Sequence, residues 1–175
     1  MTNHLFKEIA PEEIDGNVFR MIDKQWFLLT AGNLGHYNTM TASWGGLGIL
    51  WNKPVAFCFV RPTRFTYQFM EETEYFSMSF LDKEYRKALN FCGKHSGRDV
   101  NKMDASGLSP LNTDKGTIFV EQASLVLECR KLYFSDLKPE HFLDKSTINN
   151  YPNADYHRMY VGEIVKCLQN QHNGL

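Results

Sequence analysis

Hydrophobic positions along the chain recur mostly with a period of two and in short runs, the pattern of strands rather than of long amphipathic helices. Ser124–Phe134 and His157–Leu168 alternate over long stretches, with Leu125, Leu127, Cys129 and Tyr133 predicted on one face. Tyr75–Phe80 alternates large and small side chains, and Pro54–Val60, rich in Val and Phe, reads as a buried strand. Val18–Ile22 and Trp26–Ala31 are predicted to form a hairpin around Asp23-Lys24. A turn bounded by Gly32 and Gly35 then leads into a strand over Tyr37–Trp44. Two short helices interrupt the pattern. Arg64–Glu72 carries Phe65 and Phe69 one turn apart. Asp82–Cys92 has Asp82 as N-cap, Tyr85, Leu89 and Cys92 as its inner stripe, and Gly93 as its stop.

About seven strands, two short helices and no alternation of strand with crossover helix predict a mainly β fold, a β-barrel with short helical insertions. Periodicity alone leaves a sandwich open. A sandwich has no need, however, of the polar Gly97–Gly116 segment, which is longer than the ~12–15 residues of ordinary connections and carries ordered charges. With 175 residues, no internal repeat and no linker, residues 1–175 are expected to form a single domain.

Composition narrows the function classes. Apolar residues are 43% and aromatics 14% of the chain, with a formal charge of −1 and a pI near 6.6. This offers no electrostatic footprint for nucleic acid or an anionic membrane surface. No apolar run approaches the ~20 residues of a membrane span, and Met1-Thr2-Asn3-His4-Leu5-Phe6-Lys7 lacks a signal-peptide core, so a soluble cytoplasmic protein is expected. Cys58, Cys92, Cys129 and Cys167 are too widely spaced for a zinc site or a dithiol motif and read as buried free thiols. His4, His36, His95, His141 and His172 share no ligand spacing, so no metal site is expected.

The densest candidate chemistry is Asn38-Thr39-Met40-Thr41-Ala42-Ser43-Trp44-Gly45-Gly46, followed by Arg61-Pro62-Thr63-Arg64-Phe65-Thr66-Tyr67. The first run joins small hydroxyl side chains to a tryptophan and paired glycines. That suits a flat aromatic ligand lying along a backbone whose N–H and C=O groups face its edge. The second sets two guanidiniums and two threonine hydroxyls about a proline. Guanidinium forks match phosphate oxygens, and Thr63 and Thr66 fall at the start of a predicted helix whose free N–H groups favour an anion. A planar heterocycle with a phosphate on its tail satisfies both runs, and FMN is such a molecule. Plainer readings stand beside these. The Arg pair would lie over Phe65 and Tyr67, Trp44 would be a buried structural ring, and Gly45, Gly46 and Gly48 would mark a barrel corner.

The Asn38-x-Met40-Thr41-x-Ser43-Trp44 run, Arg61-Pro-x-Arg64, the Cys92-Gly93…Ser96-Gly97-Arg98-Asp99…Lys102 loop and His157-x-Met159-Tyr160-x-Gly162-Glu163 together resemble the flavin reductase-like family, in particular its flavoredoxin branch. The similarity runs from roughly Trp26 to Val165. It implies a split β-barrel that binds FMN, assembled as a homodimer with the flavin at or near the subunit interface. It also implies electron transfer through FMN, with NADH or NADPH as reductant in the reductase members. By the same resemblance the cofactor-binding residues are Asn38, Met40, Thr41, Ala42, Ser43, Trp44, Arg61, Thr63, Arg64, Phe65, Thr66, Ser79, Phe80, Cys92 and Gly93, with Ser96, Gly97, Arg98, Asp99 and Lys102 closing over the cofactor.

His157 would face the second ligand, orienting it rather than transferring a proton, or would be an ordinary core histidine. Three functions follow: an FMN-dependent flavin reductase, a flavin electron carrier serving a protein partner, or a binding protein that has lost the cofactor. The intact hydroxyl and arginine positions argue against the last. Trp51 and Phe119 are the expected interface residues.

Overall fold

The computed structural model describes residues 5–171. Met1–His4 and His172, used in the targeting and metal arguments above, lie outside the described residues. The chain runs β1 (Phe6–Ile9), a helical turn α1 (Val18–Arg20) that passes into a π-helical segment (Met21–Gln25), β2 (Phe27–Asn33), β3 (His36–Ala42), β4 (Gly45–Leu50), β5 (Lys53–Val60), α2 (Thr66–Glu72), β6 (Tyr75–Leu81), α3 (Arg86–Lys94), α4 (Lys102–Ser106), β7 (Pro110–Asn112), β8 (Ile118–Val120), β9 (Ala123–Asp136) and β10 (Arg158–Asn170).

The main sheet is antiparallel, in the order β3-β2-β6-β9-β10-β5-β4, with β1 added to the far half of β10. Its two end strands, β3 and β4, are consecutive in sequence and separated only by Ser43 and Trp44. So short a link brings the two ends of the sheet together at that corner, and the sheet curls into a barrel rather than a sandwich. The mainly β split-barrel architecture is the one expected. The seam leaves an edge of β3 without a strand partner, and this edge positions the site.

Alternation along the strands fills the barrel. Leu29, Ala31, Met40, Ala42, Ala56, Cys58, Phe76, Met78, Leu125, Leu127 and Cys129 form one interior cluster. Burying each of the larger side chains is worth roughly 1.5–3 kcal/mol. β2 is buried on both faces, so its pattern is a continuous apolar run: Leu29 points inward while Leu28 packs with Ala88, Leu89 and Cys92 of α3. The four cysteines are free and buried, and burial pushes the Cys58 and Cys129 thiols well up.

Several elements differ from expectation. Val18–Ile22 is helical, not a strand, because Asn17 caps the turn by accepting from Arg20 N at 3.1 Å. The π-helical segment ends at Trp26, whose φ is 68°. β4 replaces the glycine corner expected over Gly45–Gly48 and pairs along β5. α2 begins at Thr66 rather than Arg64, since Arg61–Phe65 is a turn in which Arg61 O accepts from Arg64 N. Gly93 lies inside α3, which runs on to Lys94 and ends where His95 returns both its N–H and Nδ1 to Phe91 O. The Gly97–Gly116 segment contains α4, capped by Asn101, and β7, which pairs with β8. Tyr133 is half-exposed instead of sharing the face of Leu125, Leu127 and Cys129. A bulge opposite Val161/Gly162 inserts Leu132 and turns the following side chains over.

Candidate functional site

The unpaired edge of β3 carries two adjoining clefts. One, of about 250 Å³, is lined by Gly35, Asn38, Thr39, Gly97, Lys102 and neighbours. The other, of about 220 Å³, is lined by Met40, Thr41, Ala42, Ser43, Trp44, Phe59, Arg61 and His157. The structure therefore brings together the β3 run, the loop after α3 and His157, which sequence places far apart.

Around the first cleft, side chains hold the loop against the strand. Asn38 donates to Thr66 Oγ1 at 2.7 Å, fixing β3 to the start of α2. Thr41 donates to Leu89 O at 2.5 Å, fixing it to α3. Gly97 lies so close to the Asn38 amide and the Phe65 ring that a Cβ there would collide with both. Arg98 sits 4.7 Å over the Phe65 ring, and Ser96 Oγ accepts from Arg98 N at 3.2 Å. Thr63, Arg98 and Asp99 are exposed.

Two cations converge behind this loop. Arg64 donates to Gly93 O at 3.0 Å, and Lys102, only 5% exposed, donates to Cys92 O at 2.9 Å and Thr39 O at 2.8 Å. Both cap the C-terminal carbonyls of α3, where cations are favoured. So Cys92 and Gly93 take part through their backbone. The Cys92 thiol is buried, 3.7 Å from Ser106 Oγ, and burial pushes its pKa up. Among the described residues no carboxylate is ion-paired with Arg64, Arg98 or Lys102. Burial, and then the charge of Arg64, pulls Lys102 down to about 8; burial and then Arg61 lower Arg64. Like charges brought together at a buried lysine and a partly buried arginine, satisfied only by carbonyls, are costly unless an anion joins them. This donor set fits a phosphate.

Arg61 is placed differently from the phosphate role expected of it. Its guanidinium donates to both oxygens of Asp155 at 2.8 Å and to Asn150 O at 2.8 Å, and lies 5.0 Å over the Tyr151 ring. It ties the connection between β9 and β10 to the second cleft. His157, 8% exposed, accepts or donates at Nδ1 to the Tyr151 hydroxyl at 2.9 Å, and its ring lies 5.1 Å from Trp44. Burial, and then Arg61, depress its pKa to about 4, so the imidazole is neutral. Trp44 is 46% exposed at the mouth of this cleft, not a buried structural ring. Ser79 and Phe80 are fully buried two strands from β3 in the sheet. Ser79 Oγ accepts from Val120 N and Phe80 packs 5.5 Å from Phe27, so neither lines the clefts.

Phe59, Tyr151 and Asp155 were missed by sequence reasoning. The alternation of Phe57 and Phe59 along β5 was a signal for the first, and the position of Asp155 beside His157 for the last. Tyr151 lies in a stretch with no periodicity and had none. Among the described residues no group of three or more His, Cys, Asp or Glu side chains could hold a metal ion. No helix there is long and apolar enough to cross a membrane.

An antiparallel barrel left open at the seam between β3 and β4, with a cation-backed cleft along that seam, defines a split barrel. Residues 19–175 match the family model described as flavin reductase like domain, and the chain belongs to that family. No curated protein matches it. Among solved structures it is similar to an FMN-binding protein from Thermus thermophilus with bound p-hydroxybenzaldehyde, at 19% identity and a TM-score of 0.68, covering 94% of this chain and 82% of that one. It is similar to a flavoredoxin from Methanosarcina acetivorans at 23% identity and a TM-score of 0.66, covering 93% and 77%. A Streptomyces globisporus NADH:FAD oxidoreductase in complex with NAD and FAD fragments aligns at 18% identity and a TM-score of 0.63, over 83% and 74%. At these identities the likeness establishes the fold.

Proposed function

We propose that the chain is an FMN-binding oxidoreductase, an NAD(P)H-dependent flavin reductase. The observation that carries this reading is the pair of a partly buried Arg64 and a buried Lys102, without a carboxylate partner among the described residues, behind a cleft edged by unpaired β-strand backbone. Arg64, Lys102 and the exposed Arg98 would hold the phosphate, and the β3 edge with Ser43 would meet the polar edge of the ring. FMN bound there would supply a carrier that accepts a hydride and releases electrons singly or in pairs. Trp44 would cover the ring, and the neutral His157 would orient the nicotinamide nucleotide rather than move a proton. The half-exposed Trp44 at the cleft mouth suits a second reading, an electron-transfer flavoprotein whose ring is approached by a redox partner protein.

The purified chain is expected to bind FMN at one per chain and to gain ~2.7 kcal/mol at 100 times its Kd. Arg64→Ala should weaken FMN far more than riboflavin, which lacks the phosphate. A thermal midpoint unmoved by FMN would sink the reading, and equal losses for both flavins would reassign Arg64 to packing. Under anaerobic conditions NADH or NADPH should bleach the bound flavin within seconds. Reduction by dithionite but by neither nucleotide would transfer the assignment to the electron carrier.

A further inference from the structure

The connection between β9 and β10, residues 137–157, is an irregular segment with short 3₁₀ turns at Pro139–His141 and Lys145–Asn150, and it reaches the second cleft at its last residue, His157. It is fastened at its far end by a compact set of contacts. Arg61 grips Asp155 and Asn150 O, its guanidinium lies over the Tyr151 ring, and Tyr151 meets His157 edge-on at 5.5 Å between ring centroids. Phe142 and Tyr156 pack on Tyr151 from the outer side, at 5.9 and 5.0 Å. Tyr151 is 6% exposed and has nowhere to swing.

The Tyr151 hydroxyl lies 2.9 Å from His157 Nδ1. Burial pushes the phenol up and the imidazole down, so both are neutral near pH 7. Between the two, the phenol is the better donor and the imidazole nitrogen the better acceptor. The hydroxyl also has no other acceptor among the described residues, so a donating Nδ1–H would leave it without one. Nδ1 therefore accepts, and Nε2 carries the ring proton. Nε2 has no hydrogen-bond partner among the described residues. The only buried side-chain polar atom there without a partner is Thr117 Oγ1, so Nε2 is accessible. His157 lines the second cleft and Tyr151 does not.

We propose that Tyr151, clamped by Arg61, is a positioning residue that fixes the His157 tautomer and turns an Nε2–H donor into the cleft, selecting redox partners of the flavin that present a carbonyl oxygen. This deepens the reading of the chain as a flavin oxidoreductase and rests on it for the identity of the ligand, though not for the tautomer. The carbonyl would belong either to the carboxamide of a nicotinamide donor or to a conjugated carbonyl acceptor.

Long-range proton–nitrogen NMR on the full ¹⁵N-labelled chain reads the tautomer without flavin or nucleotide. His157 should appear as the Nε2–H form, assigned by its absence from His157→Gln, and Tyr151→Phe should give a mixture of tautomers. An Nδ1–H form in the unaltered chain, or an unchanged tautomer in Tyr151→Phe, would overturn the proposal whatever the chain's activity. With FMN bound, Tyr151→Phe should raise the apparent Kd of one redox partner by about fivefold, the loss of one neutral hydrogen bond's orienting effect. FMN affinity should stay within about twofold. If NADH reduction is affected, the carbonyl is the carboxamide; if reoxidation by 1,4-benzoquinone is affected, it is the acceptor's. Neither half-reaction changing would refute selection by the carbonyl. A protein that binds no flavin would instead defeat the proposed function and leave the tautomer result standing.

Discussion

The Lys102 ammonium is buried and bound only to Thr39 O and Cys92 O, and burial first, then the nearby charge of Arg64, lowers its pKa to about 8. In the free protein the unfolded chain holds this proton between pH 8 and the ordinary lysine value of 10.5, while the native state does not, so this residue's contribution makes stability rise with pH over that window. A bound phosphate reverses the balance by restoring the charge, so binding takes up a proton. FMN affinity should therefore fall above pH 8, by at most about tenfold per pH unit. The flavin phosphate is fully ionised above about pH 7 and adds no slope of its own. Titrations at pH 7, 8 and 9 check this. Lys102→Met should bind more weakly and flatten the profile, as should riboflavin in place of FMN. A profile in Lys102→Met as steep as the original would rule this lysine out. At this scale residue type pointed to Arg64, a guanidinium in a run suited to an anion, whereas Lys102 was indicated only by the family resemblance of the Ser96–Lys102 loop. Neither could show that Arg61 is held by Asp155, because that pair spans residues far apart in the chain and depends on how the segment before β10 folds back.

At the scale of elements, legibility followed periodicity. β5, β6, β9 and β10 were readable from their apolar runs and from side chains that alternate in size or polarity, although β6 and the first half of β9 are buried on both faces. Val18–Ile22 misled because a short apolar run cannot distinguish a strand from a helical turn, and Asn17 decided the matter through its cap. β4 was hidden by its glycines, which weaken strand patterning but are tolerated where the strand forms an edge. The loop after α3 was recognised as more than a connection, and the structure gives the reason its glycine sits where it does: Gly97 touches the Asn38 amide and the Phe65 ring at once. Gly97→Ala should push the loop off β3 at a cost on the order of 1–2 kcal/mol, as overpacking does. Because the loop closes one side of the first cleft, the loss should appear mainly in FMN affinity, about tenfold, with the thermal midpoint little changed. Calorimetric FMN titration alongside thermal unfolding separates the two. A large fall in midpoint with unchanged affinity would make Gly97 a packing glycine only.

For the whole molecule, the seam that makes the cleft also leaves apolar surface uncovered. Trp44, Ile49 and Trp51, on or flanking β4, are 46, 71 and 57% exposed, and Tyr133, Phe134 and Val165 on β9 and β10 are 50, 53 and 39%. Trp51 and Tyr133 already meet, at 6.3 Å. Patches of this kind mark contact surfaces, and an isologous twofold pair is the commonest way to cover them. Phe119, the other expected interface residue, is buried against Phe6 at 5.4 Å within one chain and is withdrawn from that role. The clefts point the same way, since about 250 and 220 Å³ each fall below the ~300–1,000 Å³ of sites that enclose a ligand. A second chain across the seam would complete them, so assembly and flavin binding should be linked. The FMN-bound protein is expected to be a dimer by light scattering at micromolar concentration. Trp51→Glu should shift it toward monomer and weaken FMN together, whereas Leu34→Glu, at an exposed position in the β2–β3 turn, should do neither. A wild-type monomer with FMN bound would end the dimer argument. Monomeric Trp51→Glu with undiminished FMN affinity would show instead that each barrel holds its flavin alone.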